Sequence, residues 1–434
     1  MAGLQEVLPF CDSAILPSCH SMSLRSSRAV AVAFVTFATF TDIVAYSVAI
    51  PVLPALSRRL GASPTMIGLL FASFGVTLLT VSLPMGAVSD RIGRKGPIIG
   101  GLIALAAASV LFAFADTLPW LFAARLVQGA ADAVTWVVGF ALIADLYEDG
   151  PRPASADEVR PQSQVGKVTG IVMMGTSFAV MFGPTLGGWL YEIGGIRLPF
   201  IAVAVMAVVA VGLFAWLQIP AHQSAAEPVP IGMVLRVPAI AACALTVVAI
   251  SGTISMLEPV LSLYLNGLGV NPARVGTLYG AAAVVTTSLH PLCGRLADRF
   301  GARQITMLGL IATACMIPIL GQAWSFASAL VLYLFAAAAC AFVITPSLAY
   351  MGEATTDAGV RSFGVAYGLY NLAWGAGLLA GPAIGGFLFE RIGFSRLSIA
   401  WAPAVALVTI ALVRAGRAGR AGTAGRAGMG TAEA

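Results

Sequence analysis

Four charged side chains interrupt stretches of this sequence that are otherwise apolar. Asp42, Asp132 and Glu258 carry carboxyl groups, which can hold a proton or bind a cation, and Arg125 carries the opposite charge. Asp132 follows Arg125 by seven residues, which places both side chains on about the same face of a helix, two turns apart. An ionisable residue inside a membrane helix costs about 2.5 to 3.5 kcal/mol even on lenient insertion scales, so it usually faces a partner or a water-filled cavity. These four residues therefore pair with one another or line a polar site.

The composition places the chain in a membrane. Hydrophobic residues make up 59% and charged residues 10% of the sequence, whereas a soluble domain carries about 25% charged residues. Twelve apolar runs are long enough to cross a hydrocarbon core about 30 Å thick. Because the runs show no period-2 alternation, they predict helices rather than a closed barrel. The runs cover about residues 30–52, 67–89, 97–115, 119–145, 167–190, 198–218, 238–265, 274–296, 304–323, 327–350, 362–388 and 396–413.

The sequence contains an internal repeat, which predicts an all-α integral membrane fold of two pseudo-symmetric six-helix halves. A loop after the second run recurs 208 residues later. Its two copies read Gly86-x3-Asp90-Arg91-x-Gly93 and Gly294-x3-Asp298-Arg299-x-Gly301. A Gly-Pro-x2-Gly-Gly segment likewise occurs at 183–188 and at 381–386. The predicted divisions are an N-terminal tail (1–28), a first bundle (29–219), a cytoplasmic linker (220–237), a second bundle (238–413) and a disordered basic tail (414–434).

The distribution of basic residues predicts the orientation, because Lys and Arg collect in cytoplasmic loops. With both termini cytoplasmic, 17 of the 24 basic residues fall on the cytoplasmic side. The net charge of +5 is explained by these cytoplasmic basic residues, which set the orientation in the membrane, and it gives no support to nucleic-acid binding. The first 28 residues lack the pattern of a cleaved signal, and Met22 is an alternative start. We predict a multi-pass protein of the inner (plasma) membrane.

The cysteine and histidine residues give no sign of a metal site, a cofactor or an enzyme. The six cysteines include no Cys-x2-Cys pair and none stands at metal-ligand spacing from a histidine. The three histidines, His20, His222 and His290, form no cluster in the sequence. The expected partners are a small-molecule substrate, protons and the lipid bilayer.

Several motifs resemble those of the major facilitator superfamily. The loop between the second and third runs resembles the family's signature loop, and its second copy stands where the family repeats it. The Gly-x7-Gly-Pro-x2-Gly-Gly segment at 175–188 resembles the antiporter motif of the drug:proton branch, and Arg125 resembles the buried arginine of the fourth helix. Glycine permits tight reversals and close helix approach, and proline kinks a helix. The resemblance implies gating by Gly86, Asp90, Arg91, Gly93, Arg94, Asp298, Arg299, Gly183, Pro184, Gly381 and Pro382.

Within this branch the chain is most similar to the vesicular amine transporters, which exchange protons for organic cations. The resemblance implies that Asp42, Arg125 and Glu258 correspond to the charged residues of that family's first, fourth and seventh helices. Glu353 corresponds approximately to its tenth-helix acid. The similar segments lie at 41–54, 68–73, 147–149, 256–259 and 367–374.

Two departures from the vesicular carriers occur together. Phe74 stands where they have a lysine, and Asn371 stands where they have an aspartate. Loss of one partner of an ion pair would leave an uncompensated buried charge, whereas loss of both removes that cost. Asp132 has no counterpart in the family pattern and is placed to supply the missing carboxyl group.

The mechanism implied by the resemblance is alternating access, in which the two halves rock about a site near the membrane midplane. Asp42 and Glu258 would alternately hold a proton and a cationic amine, which amounts to efflux of amines or drugs by a monomer. The repeat maps Asp42 onto Ile250 and Glu258 onto Ile50, so the scaffold itself does not need these charges. The expected substrate and proton site comprises Asp42, Glu258, Asp132, Arg125 and Asn371, with an aromatic pocket of Tyr46, Trp136, Tyr264, Tyr370 and Trp374.

Two other functions are compatible with the same fold. A facilitator of a neutral or anionic solute would not require Asp42, and the acids would then be ion-pair partners of Arg125. A membrane receptor without transport activity is the second alternative. The gate loop and the Gly-Pro helix both argue against it.

Overall fold

The computed structural model describes residues 28–147, 164–218, 236–357 and 363–430 of the chain. These residues are almost entirely helical, which confirms the all-α prediction. The tail before residue 28 with Met22, most of the linker, and the loops at 148–163 and 358–362 lie outside the described residues. The described part contains eleven helices: α1 (Arg28–Arg59), α2 (Pro64–Ile92), α3 (Lys95–Phe114), α4 (Leu118–Tyr147), α5 (Gln164–Gly194), α6 (Arg197–Trp216), α7 (Pro238–Gly267), α8 (Pro272–Phe300), α9 (Ala302–Leu320), α10 (Phe326–Asp357) and α11 (Phe363–Gly430).

The last helix, α11, contains two predicted spans. Gly393 interrupts it with φ 74° and ψ 174°, a backbone conformation that favours glycine. The interruption falls between the apolar runs predicted at 362–388 and 396–413. Beyond the second run the helix continues to Gly430, through most of the tail for which the sequence predicts disorder. Alanine and arginine, which are strong helix formers, alternate there with glycine, which is a weak one.

Ten helices of the described part are long and apolar enough to cross a membrane. The exception is α8, whose second half contains His290, Arg295 and Asp298, although it packs against α5 and α10 like a core member of the bundle. Since α11 holds two spans, the eleven helices account for the twelve predicted crossings.

Corresponding helices of the two halves begin in the same way. Ser63 accepts a hydrogen bond from the Met66 backbone N–H, and Asn271 accepts one from that of Arg274. In both helices a proline follows the capping residue, at the position where its missing N–H is not needed. The turn before each cap contains a glycine with positive φ, Gly61 or Gly269. The sequence repeat is therefore also a repeat of local structure.

The two halves approach closely at two helix–helix contacts in which glycine faces backbone, one between α2 and α11 and one between α5 and α8; we call these contacts the glycine seams. Gly68 of α2 faces the Pro382 carbonyl and Gly386 of α11 so closely that no Cβ would fit. In the pseudo-symmetric seam, Gly276 of α8 faces the Pro184 carbonyl of α5 in the same manner. Small residues allow helix backbones to approach at this distance. We call the end of the bundle that contains the α1–α2 and α7–α8 connections the closed end, and the opposite end, with Gly93 and Gly301, the latch end.

Candidate functional site

Arg125 lies within α4 and is fully buried. Its Nη1 donates a hydrogen bond of 2.7 Å to Gln128 Oε1, one turn along the same helix. The guanidinium carbon lies 4.7 Å from the ring centre of Phe71, 5.0 Å from that of Tyr46 and 5.1 Å from that of Phe74. Each such contact contributes about 0.5 to 2 kcal/mol of cation–π attraction. The three rings form an aromatic cage that stabilises a buried charge.

A hydrogen bond from Tyr46 to Glu258 joins the two halves. The Tyr46 hydroxyl, on α1, donates to Oε2 of Glu258, on α7, over 2.5 Å. Tyr279 of α8 donates to the backbone carbonyls of Leu257 and Glu258 over 2.9 Å, which anchors α7 at this level. Because Tyr46 also contacts Arg125, one side chain links the buried cation of the first half to the buried acid of the second.

Two further acids, Asp42 on α1 and Asp132 on α4, are buried beside this link. They are 1% and 6% exposed, and their carboxyl groups are close enough to interact electrostatically. No hydrogen-bond donor of the described residues reaches either carboxyl oxygen of Asp42, whose polar neighbour is the carboxyl group of Asp132. Nε and Nη2 of Arg125 have no hydrogen-bond partner in the same part of the chain. Buried polar groups are normally satisfied, so these atoms mark a polar site rather than ordinary packing.

The structure thus brings together the four charges that the sequence singled out, through α1, α4 and α7. Two predicted pocket aromatics accompany them. Tyr46 lies between Arg125 and Glu258, and Trp136, one turn from Asp132, interacts with that carboxyl group. Sequence reasoning missed the role of Gln128, although its spacing of three residues from Arg125 is the spacing of helical neighbours.

The other three predicted aromatics are engaged elsewhere in the second half. Tyr264 donates a hydrogen bond to the Ala323 carbonyl and stacks on Phe394, with ring centres 4.5 Å apart. Tyr370 and Trp374 stack on each other at 6.2 Å and belong to a hydrophobic cluster of the second half. These rings pack within the second half and do not contribute to the cage around Arg125.

The remaining polar positions of the second half lie nearer the latch end. Asn371 and Glu353 are exposed, and His290 Nδ1 lies 2.6 Å from Thr345 Oγ1. The site expected from sequence therefore extends over a larger part of the second half than the buried charge cluster does. Among the described residues, no group of three or more potential metal ligands is present.

The first copy of the signature loop is held by Arg94. Its guanidinium pairs with Asp90 at 2.6 Å and with Asp145 of α4 at 2.7 Å, and it donates to Ser89 Oγ over 2.6 Å. Burial opposes the charge of Arg94, but hydrogen bonds and the negative charges of Asp145 and Asp90 outweigh burial and raise the pKa of Arg94. The second copy differs, because Ala302 stands at the equivalent position.

The remaining predicted gating residues have different surroundings. Gly86 lies near Val137 of α4 without crowding. Gly93 adopts φ 87°, which suits the tight reversal predicted for the loop. Arg91 is exposed. In the second copy, the Arg299 guanidinium lies 5.3 Å from the ring centre of Phe300.

The two Gly-Pro segments lie where helices approach most closely. Gly183 packs on Ser47 of α1, and Gly381 packs on Gly252 of α7, so each glycine serves a contact inside its own half. The prolines that follow, Pro184 and Pro382, present their carbonyls to the opposite half. Each segment therefore touches both sides of a seam.

A bundle of two six-span halves that meet at buried charges and glycine seams defines a class of multi-pass membrane transport proteins. The chain belongs to the Major Facilitator Superfamily, whose sequence profile matches residues 35–264 and 243–428. The family and the relatives are transporters, so the protein is a transporter and not an enzyme.

Similar proteins include several vesicular carriers. The human MFS-type transporter SLC18B1 is 25% identical over 380 residues, which span 83% of this chain and 79% of the relative. The human vesicular acetylcholine transporter is 28% identical over 77% of this chain and 62% of its own length. The human synaptic vesicular amine transporter is 26% identical over 79% and 65%. These matches confirm the predicted resemblance to the superfamily and its vesicular amine carriers.

Solved structures show the same fold. A bacterial homolog of the human lysosomal transporter Spinster, in an inward-facing and occupied conformation, superposes with a TM-score of 0.76 at 15% identity and covers 90% of this chain and 97% of its own. The nucleoside transporter NupG superposes with a TM-score of 0.72 at 12% identity and covers 89% and 98%.

Proposed function

We propose that the protein is a proton-coupled antiporter that exports organic cations, amines or drugs among them, by alternating access across the inner membrane. The observation that carries this proposal is the charge of the buried cluster, which holds three carboxyl groups, those of Asp42, Asp132 and Glu258, and one guanidinium. Asp132 and Glu258 face Arg125, and Asp42 faces Asp132. An excess of buried acids favours ligands that are positively charged. The names of two relatives, an acetylcholine and an amine transporter, agree with a cationic substrate.

The same groups support proton coupling. A carboxylate that holds a proton in the empty site can release it when a cation arrives, because a nearby positive charge favours the ionised form. Since Glu258 and Asp42 belong to different halves, rocking of the halves would change the surroundings of both acids. The Tyr46–Glu258 hydrogen bond would have to break when the closed end opens.

A respiration-driven assay tests this proposal. Inverted membrane vesicles are acidified by respiration, a fluorescent probe reports the pH gradient, and lipophilic amines are added to wild type, Asp42→Asn and Asp116→Asn. Asp116 is an exposed residue between α3 and α4 and serves as the matched control. We expect amine-dependent proton release in wild type and the control, and its loss in Asp42→Asn. No response of folded wild-type protein to any amine would contradict antiport of cations.

A second candidate function is transport of a neutral or anionic solute. It is favoured by Arg125, whose Nε and Nη2 have no hydrogen-bond partner in the described part of the chain and could donate to a carbonyl or carboxylate. On this alternative Arg125→Gln abolishes transport, whereas Asp42→Asn preserves it. Uptake of labelled neutral and anionic solutes into the same vesicles, measured for wild type and both variants, separates the two functions.

A further inference from the structure

We propose that Asp42 and Asp132 form one proton site, in which the two carboxyl groups share a single proton and release it to water when the cationic group of the substrate binds between them. The shared proton stands independently of the transported solute. The exchange of that proton for a cation rests on the proposed function.

The register of α1 and α4 brings the two carboxyl groups to the same level. Val35 Cγ1 lies 3.3 Å from the place that a Cβ on Gly139 would occupy. The two helices are antiparallel, Asp42 lies two turns after Val35, and Asp132 lies two turns before Gly139. Both side chains therefore point from the same helix faces that touch at Val35 and Gly139.

A second contact fixes this register from the other side. Tyr46 lies one turn beyond Asp42, and Arg125 lies two turns before Asp132, and the ring and the guanidinium are in contact. The two acids thus lie between two pairs of residues that touch across the α1–α4 interface.

The surroundings of the pair favour one proton rather than none. Both groups are more than nine-tenths buried, and no hydrogen-bond donor of the described residues reaches either Asp42 oxygen. Two adjacent buried carboxylates repel each other, and a single shared proton removes the repulsion and supplies a donor. Arg125 is the cation that faces Asp132, yet it also faces Glu258 and Tyr46, so its charge is divided.

Among the described residues of the other helices packed against α1, Glu258 of α7 is the one further charge at this level. At this level α2 contributes the rings of Phe71 and Phe74, and α7 contributes the carboxyl group of Glu258. Tyr279 of α8 donates its hydroxyl hydrogen to backbone carbonyls of α7. Residues 96–114 of α3, 168–191 of α5 and 198–216 of α6 contain no charged side chain. Exchange of one proton for one monovalent cation therefore leaves the net charge of the whole cluster unchanged.

The second half shows that the scaffold does not require carboxyl groups at these positions. The 208-residue repeat maps Asp42 onto Ile250 and Asp132 onto Cys340. Both counterparts are buried members of one hydrophobic cluster. The same helix pair can therefore be packed with apolar side chains, which favours a functional origin for the acids of the first half.

Infrared difference spectroscopy tests the shared proton without any substrate. The purified protein in lipid is titrated from acidic to alkaline pH, and the band of protonated carboxyl groups is followed in wild type, Asp42→Asn, Asp132→Asn, Glu258→Gln and the control Asp116→Asn. We expect one titrating band that is lost in both Asp42→Asn and Asp132→Asn and kept in the control and in Glu258→Gln. Asp132→Glu should restore a band, and near-wild-type thermal unfolding of each variant establishes that it is folded.

The outcomes separate this proposal from the proposed function. A band that survives in Asp132→Asn but is lost in Asp42→Asn would mean that Asp42 holds its proton alone, which overturns the pair, and so would the absence of any such band in folded wild type. The permanent cation N-methyl-4-phenylpyridinium is then added, since every released proton must come from the protein. Loss of the band supports the exchange. A band that persists while the variants behave as expected leaves the shared proton in place and contradicts exchange for this cation.

Discussion

Tyr46 occupies a decisive position at the scale of single residues. Its ring covers Arg125 and its hydroxyl donates to Glu258, so it contacts the charged groups of both halves at once. The equivalent position of the second half, 208 residues later, is Ile254, which cannot make either contact. The inter-half hydrogen bond is therefore one-sided and can be removed without changing the ring.

We predict that Tyr46→Phe weakens the closed end. A hydrogen bond to a charged group contributes about 1.5 to 3 kcal/mol, so its loss should change the ratio of closed to open molecules roughly ten- to a hundredfold. Residues 59 and 274 are exposed near the closed end on different halves. Double electron–electron resonance between spin labels at these two positions should then show a larger population of long label–label distances. Tyr147→Phe, at the latch end, should leave the distribution unchanged. An unaltered distribution in Tyr46→Phe would contradict this role.

At this scale the sequence predicted the buried charges but not all of their partners. A charge in an apolar run must be satisfied, so Asp42, Arg125, Asp132 and Glu258 could be recognised from composition alone. Which side chain reaches Glu258 depends on the rotation and depth of α1 against α7, and no local pattern encodes either quantity. For the same reason Tyr264 was expected in the pocket, although it is engaged by Ala323 and Phe394.

At the scale of helices, the glycine seams determine how closely the halves approach. Gly68 against Pro382 and Gly276 against Pro184 are equivalent contacts of the two repeats. A side chain at either position would separate the helices at the closed end.

We predict that Gly68→Ala disfavours the conformation described here. The added methyl group would meet the Pro382 carbonyl, so α2 must move away from α11, and overpacking of this kind typically costs about 1 to 3 kcal/mol. Gly100→Ala in α3 is the matched control, because a Cβ there meets open space. Thermal unfolding followed by tryptophan fluorescence should show a lower Tm than wild type for Gly68→Ala and no decrease in Tm for the control. Equal Tm values for the two variants would show that the seam tolerates a side chain.

A second prediction at this scale concerns the ion pairs of the first loop copy. Arg94→Gln leaves Asp145 without its cation, and a hydrogen bond between charged groups typically contributes about 1.5 to 3 kcal/mol. Because Arg94 is only 8% exposed, solvent can replace little of this interaction. In a double-mutant cycle with Asp145→Asn, followed by thermal unfolding, the double variant should be less destabilised than the sum of the single variants. Additive effects would mean that the two side chains do not stabilise each other.

The helices themselves were the most predictable part of the structure. The apolar runs, the capping residues before Pro64 and Pro272 and the glycines of the turns are local signals, and the helices follow them closely. The break at Gly393 also agrees with a gap between two runs. The seams were expected only as kinks and small-residue surfaces, because the sequence does not state which helices they join.

At the scale of the whole molecule, the repeat predicted two halves, and both the structure and the family match agree with it. How the two halves pack together could not be predicted, since the contacts of α2 with α11 and of α5 with α8 are all non-local. The orientation in the membrane remains a prediction from the basic residues.

We predict that the latch end faces the cytoplasm. Arg91 in the last turn of α2 and Arg299 in the last turn of α8 stand at this end, together with Arg94, Lys95 and Arg303. Basic residues are retained on the cytoplasmic side. A fluorescent protein fused after residue 434 should fluoresce, and alkaline phosphatase at the same position should be inactive. The reverse pattern would place this end outside and would reverse the predicted direction of transport.

The central claim, exchange of protons for an organic cation, is tested most directly with the purified protein in liposomes. The lumen is made acidic relative to the bath, and uptake of labelled N-methyl-4-phenylpyridinium is measured with wild type, Asp42→Asn and the control Asp116→Asn. We predict uptake against the cation gradient by wild type and control, its collapse when an ionophore dissipates the pH gradient, and no such uptake by Asp42→Asn. Uptake that ignores the pH gradient, or that persists in Asp42→Asn, would contradict the proposed antiport.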